Sequence, residues 1–194
     1  MRKIVSPAFF DRPTLTVARD LIGKYLVRRI GEKTEAFMIT ETEAYLGPHD
    51  QASHAFRGRT MRNAPMYEGP GTIYVYFTYG IHWMLNIVCE DEGFPAAVLI
   101  RGLASDEMRL DGPARLTKHL RIDKMLNARM LGKQTGLWVE DRGARIPRNA
   151  ITRTPRVGIP NRGVWTDKPW RFVLSAARAT SPRTSFRGRS RRNS

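Results

Sequence analysis

The run Thr34-Glu35-Ala36-Phe37-Met38-Ile39-Thr40-Glu41-Thr42-Glu43-Ala44-Tyr45 decides the fold. Its period-two alternation predicts a long strand. Lys24 to Ile30 forms a second strand before it, and the turn Gly31-Glu32-Lys33 joins the two as a hairpin. The alternation puts Phe37, Ile39, Glu41, Glu43 and Tyr45 on one face, so an apolar face turns acidic and then aromatic toward the strand's end.

On the N-terminal side, Thr14 is placed to cap a short helix carrying Leu15, Val17, Leu21 and Ile22, with Gly23 as its stop. On the C-terminal side, Leu46 to Gly71 is irregular, rich in Gly and Pro, and carries Arg57, Arg59 and Arg62. Loops of that length usually serve function. Thr72 to Thr78 and His82 to Cys89 read as strands joined at Tyr79-Gly80-Ile81, and Ala96 to Arg101 completes an antiparallel meander. Gly112-Pro113 opens a helix through Leu116 and Leu120, since proline is tolerated in the first turn. Later strands are expected at Leu137 to Glu140, Arg153 to Ile159 and Trp170 to Leu174. The fold class is therefore mixed α/β (α+β), a single domain on a curved antiparallel sheet with flanking helices and a protruding hairpin.

Composition agrees with one domain over residues 1–177, for no internal repeat or low-complexity linker divides it. The chain has 194 residues, 41% hydrophobic and 26% charged, enough to bury roughly 70% of its unfolded surface without a disulfide or structural metal. The lone Cys89 lies in an apolar run and reads as a buried reduced thiol. No stretch approaches the ~20 apolar residues of a membrane span. Met1 to Ser6 leads into Phe9-Phe10 without the apolar core of a signal peptide, so no such leader is expected. A soluble intracellular protein is expected, cytoplasmic and nucleoid-associated, or nuclear in a eukaryote.

Charge names a partner. Lys and Arg number 33 against 18 Asp and Glu, a net +15. Residues 178–194 hold six arginines and no acid, which predicts a disordered basic tail. Without those six the body still carries +9. A nucleic acid is the expected partner, since the tail lacks the apolar face of a membrane helix.

A carboxylate leaving a strand beside aromatics and bases marks the place for chemistry. Glu43 is the candidate base: near an arginine, for which Arg101 is available, a carboxylate can stay ionised and take a proton from an attacking water. The plainer reading is an edge-strand acid paired with a surface arginine. Tyr74, Tyr76 and Tyr79 lie along the hairpin arm. Tyr74 and Tyr76 alternate with Ile73, Val75 and Phe77 as core residues would, whereas an aromatic at the turn, Tyr79, suits entry into a base stack. Stacking contributes about 1–3 kcal/mol per base.

Glu41-Thr42-Glu43-Ala44-Tyr45-Leu46-Gly47-Pro48, Asp50, His54, Pro70-Gly71-Thr72-Ile73-Tyr74-Val75-Tyr76, Tyr79-Gly80 and Asn86 together resemble the alkyladenine (3-methyladenine) DNA glycosylase family. The resemblance continues through Ala97-Val98-Leu99-Ile100-Arg101, Asp111-Gly112-Pro113-Ala114-Arg115-Leu116 and Arg156-Val157-Gly158-Ile159 to Trp165 and Lys168-Pro169-Trp170-Arg171-Phe172. It spans roughly residues 10 to 175. It implies that Glu43 activates the water attacking the sugar C1′ and that Arg101 helps hold it. Tyr45 on one face, with His54 and Tyr76 on the other, would sandwich a flipped base whose edge is read by main chain near His54. Tyr79 would fill the vacated stack, and Asn86 would disfavour the amino group of ordinary guanine. The implied reaction removes damaged purines from double-stranded DNA and leaves an abasic site uncut, by a monomer.

His82 and Trp83, after the hairpin tip, depart from the family's bulky residues there, and the arginine tail has no counterpart in the family's core. No metal, nucleotide or other cofactor is expected: the four histidines and one cysteine lack zinc-ligand spacing, and no phosphate loop is present. Two other readings compete. One is a noncatalytic basic nucleic-acid-binding module. The other is a metal-assisted nuclease using Glu41, Glu43 and Asp50.

Overall fold

The computed structural model describes residues 2–175; the arginine-rich segment 178–194 falls outside the described residues. β1 (Lys3–Ile4) and the single turn α1 (Pro7–Phe10) lead into α2 (Thr14–Asp20), β2 (Tyr25–Ile30) and β3 (Lys33–Leu46). The meander β4 (Ile73–Thr78), β5 (His82–Cys89) and β6 (Ala96–Ala104) follows, then β7 (Arg109–Asp111) and α3 (Pro113–His119). β8 (Leu137–Asp141), β9 (Ile151–Thr154) and β10 (Arg171–Leu174) complete the order. The strands form one sheet in the order β1-β8-β2-β3-β6-β5-β4, with β7 on β6, β10 on β3 and β9 on β10. Every pairing among them is antiparallel.

The β2–β3 hairpin turns on two residues, because Ile30 pairs with Lys33. Gly31 takes φ +59° there, the left-handed backbone such a loop requires. Val17 and Ala18 from α2, Leu21 just after it and Leu116 from α3 bury against Leu26, Phe37, Ile39, Ile87 and Val98 in one core. Each fully buried Leu or Ile there contributes about 1.5–3 kcal/mol relative to exposure. Cys89 belongs to this core as a free thiol, and burial pushes its pKa up.

Thr14 does not cap α2. It is the first helical residue, with Pro13 at the cap. Its N–H donates to Glu90 at 2.9 Å, and its hydroxyl donates to the same carboxylate. A side chain 76 residues away in sequence thus supplies the acceptor that the helix's first turn lacks. The strand expected over Arg153 to Ile159 ends at Thr154. Pro155 has no N–H to continue a ladder, and from there the chain leaves the sheet.

β3 is as long as its pattern predicts but does not keep one face. Ile39 pairs with Leu103, Glu41 with Gly102 and Thr42 with Ile100, a paired bulge that adds a residue first to β3 and then to β6. Phe37 and Ile39 face the core before the bulge, whereas after it Ala44 does, and Thr42 donates to the Ala18 carbonyl of α2 at 2.8 Å. Glu41, Glu43 and Tyr45 therefore lie on the opposite face from Phe37 and Ile39. The extra residue reverses the alternation, which a strict period of two cannot anticipate.

Gly102 permits this bulge. A Cβ there would sit 2.8 Å from Glu41 Cβ and 2.9 Å from Thr40 Oγ1. Gly102→Ala should destabilise the protein by about 1–3 kcal/mol, read as a lower urea midpoint with an unchanged slope.

Candidate active site

The bulge delivers Glu43 to a place with no exposed surface. Oε1 accepts the Val157 backbone N–H at 2.7 Å, and Oε2 accepts the Tyr45 hydroxyl at 3.0 Å. Arg101 Nε stands 3.2 Å from Oε1. Arg101 donates more closely to Glu41, at 2.8 Å, and Glu41 also accepts Arg171 Nε at 2.6 Å. Burial raises the Glu43 pKa, and it outweighs the opposing pull of Arg101, the Val157 N–H and Tyr45. A carboxylate that binds its proton more tightly than usual is the stronger base once ionised.

Beside it opens a cavity of about 400 Å³. Tyr45, His54, Tyr76, Tyr79 and Asn86 all line it. Glu43 and Arg101 are not among its lining residues; Glu43 is joined to the cavity wall through the Tyr45 hydroxyl, and Arg101 pairs with Glu43. His54 and Tyr76 meet edge to face, with ring centres 4.5 Å apart. His54 Nδ1 pairs with the Tyr74 hydroxyl at 2.9 Å. Burial, and then the charge of Arg62, lower the His54 pKa and so favour the neutral ring. Burial pushes the Tyr76 hydroxyl up to about 12.

The loop after β3 is held from within. Asn63, 1% exposed, donates from Nδ2 to the carbonyls of His54 and Gly58, both at 2.9 Å. Arg62 bonds the Phe77 carbonyl at 2.9 Å and ties the loop to the β4–β5 hairpin. At that hairpin's tip Tyr79 is 82% exposed and takes φ +51°. A left-handed aromatic residue is costly, and such strain gathers at working sites. Tyr74 is core, as its alternation predicts. His82 is exposed, and Trp83 turns inward against Phe77, 4.6 Å between centres.

The opposite rim is a strap, residues 155–165, that sequence reading misses. Arg156 is buried and donates to both Asp50 oxygens, to the Ala44 carbonyl at 3.0 Å and to the Trp165 carbonyl at 3.3 Å. Gly158, Ile159, Pro160 and Arg162 continue it along the cavity. The signals for it in the sequence are Pro155 and Gly158 inside an expected strand and the family motif Arg156-Val157-Gly158-Ile159. Glu41 and Glu43 share Arg101, whereas Asp50 pairs with Arg156, so among the described residues these three acids do not gather into the metal-holding group that a nuclease using them would require.

This antiparallel α+β domain thus joins a strongly basic body to a buried carboxylate beside an aromatic cavity. The sequence pattern described as Methylpurine-DNA glycosylase (MPG) matches residues 8–178. The chain belongs to the methylpurine-DNA glycosylase family and is thus an enzyme of DNA repair. A candidate 3-methyladenine DNA glycosylase of Methanocella arvoryzae is 41% identical over 180 residues, covering 84% of this chain and 88% of its own. One from Anaeromyxobacter dehalogenans is 46% identical over 171 residues, 86% and 81% of the two chains. The mouse DNA-3-methyladenine glycosylase is 36% identical over 200 residues, 89% of this chain and 60% of its own.

The raised pKa of Glu43 has a consequence for stability. The folded carboxyl holds its proton more tightly than the unfolded one, so its contribution is greatest in acid and is lost as pH rises through the folded pKa. Wild type should lose thermal stability relative to Glu43→Gln as pH climbs above about 4.3, the unfolded value. Paired melting curves from pH 4 to 8 check this.

Proposed function

We propose that the enzyme rotates an alkylated purine such as 3-methyladenine out of duplex DNA into the 400 Å³ cavity and hydrolyses its N-glycosyl bond. The observation that carries this reading is the buried Glu43 carboxylate bonded to the hydroxyl of a cavity wall. A volume of that size suits one small ligand, since such pockets run from about 300 to 1,000 Å³. Tyr45 stacks on one face of the base, and His54 with Tyr76 closes the other. Asn86, whose Nδ2 donates to the Tyr74 carbonyl at 3.2 Å, stands where the amino group of ordinary guanine would crowd it.

In the reaction, Glu43 accepts a proton from water as the water oxygen bonds to C1′. The C1′–N bond breaks, its electrons pass to the base, and Arg101 holds the water and the carboxylate together. A cationic alkylated purine leaves as a neutral molecule, so protonation of the leaving group is not needed. Products are the free base and an uncut abasic site. A neutral His54 suits this cavity, because a cationic ring would repel the cationic lesion. Tyr79 fills the gap in the stack, and the enzyme works as a monomer on double-stranded DNA.

Mass spectrometry of bases released from methylated duplex tests the reaction. Wild type should release 3-methyladenine, and Glu43→Gln should lower the single-turnover rate at least about 100-fold while still binding DNA. Strand breaks should appear only after alkali. Binding by both proteins with no release by either would leave a noncatalytic module. Wild-type excision should also fall on the acid side, with an inflection above the ordinary carboxylate value of about 4.3.

Tyr79→Ala should keep the wild-type melting temperature, because the side chain contacts solvent, yet slow excision about 10-fold or more through the lost stacking of about 1–3 kcal/mol. Unchanged single-turnover excision would rule out the wedge.

A further inference from the structure

We propose that the buried Arg156–Asp50 pair is the positioning device of this site, fixing the strap so that Val157 stays bonded to Glu43 and the Tyr45 ring stays against the cavity. The inference rests on the reading of Glu43 as the base. Both side chains are 0% exposed. The guanidinium spans both carboxylate oxygens of Asp50, and Nη2 meets Oδ1 at 2.9 Å. It also reaches the carbonyl of Ala44, between Glu43 and Tyr45, and the carbonyl of Trp165 at the strap's far end. Its Cζ lies over two rings, 4.8 Å from the centre of Tyr45 and 5.0 Å from that of Trp170.

Asp50 extends the connection. It accepts the backbone N–H of Ala52 at 3.0 Å and of Leu46 at 3.3 Å, so it also anchors the start of the loop that carries His54. One ion pair therefore joins the end of β3, the root of the His54 loop and the strap. Val157 is the next residue after Arg156, and neighbouring Cα atoms are a fixed ~3.8 Å apart. The stretch of backbone that the Arg156 side chain anchors is therefore the stretch whose N–H Glu43 accepts.

Stability does not explain the pair. Well-packed apolar residues often replace a buried ion pair without loss. Direction does explain it: a planar fork delivers several hydrogen bonds at set angles, which a point charge on a flexible stem cannot. Arg156→Lys can keep the charge and one bond to Asp50 while losing the span to Ala44 and Trp165.

The test measures single-turnover release of 3-methyladenine from methylated duplex across pH, with melting temperatures, for Arg156→Lys and Glu43→Gln. Arg156→Lys should bind DNA as wild type does and excise about 10- to 100-fold more slowly, the usual effect of a small misplacement. Its acid inflection should move to higher pH, because Glu43 loses the N–H that favours its ionised form. A merely structural pair would lower the melting temperature and leave the inflection unmoved, which overturns the proposal. If Arg156→Lys does not fold at 25 °C, Asp50→Asn replaces it, and an unchanged rate there overturns the proposal equally. Excision surviving in Glu43→Gln would instead remove the base assignment beneath it.

Discussion

A carboxylate with no exposed surface is the constraint on which the rest depends. Removing Glu43 from water costs several kcal/mol unless charge and hydrogen bonds are returned to it. The fold returns them from three directions: Arg101 from the neighbouring strand, the Tyr45 hydroxyl from two residues along its own strand, and the Val157 N–H from the strap. Burial still prevails, as the raised pKa shows. The supporting groups are thus sufficient to hold the carboxylate in place without quenching its affinity for a proton, which is the balance a general base needs.

That arrangement depends on a departure from regularity. An unbroken β3 would direct Glu41, Glu43 and Tyr45 toward the same core as Phe37 and Ile39, where α2 covers the sheet. The paired bulge at Glu41 and Gly102 sends the acids to the other face and Thr42 and Ala44 inward. Because β6 takes up its own extra residue a step later, pairing resumes in register through Leu46 and Ala96. The defect is local, and the sheet on either side keeps its ladder.

Much of this was legible in the chain. Periodicity located the hairpin, the meander and both longer helices to within a few residues. The residues the family resemblance singled out, from Tyr45 through Asn86, line one cavity. What escaped reading has physical causes. A bulge arises from the register of two strands, and no pattern in β3 alone encodes a glycine 61 positions later facing Glu41. The role of Glu90 toward α2 is likewise a long-range contact. The strap resembles a strand because Arg153, Val157 and Ile159 alternate plausibly, and only Pro155 and Gly158, which takes φ +73°, argue otherwise.

The ion pairs behind the cavity are balanced in number. Three carboxylates, Glu41, Glu43 and Asp50, face three guanidiniums, Arg101, Arg156 and Arg171. With Glu43 ionised the cluster is neutral; with Glu43 protonated it carries one positive charge. On the function proposed above, a cationic purine entering the cavity repels the second state and attracts the first, so its arrival favours release of the Glu43 proton. A neutral purine exerts no such pull. The same burial that holds Glu43 near its proton in the empty enzyme would then make its ionisation responsive to the charge of the base, linking activation of the water to the lesion whose glycosyl bond is already weak.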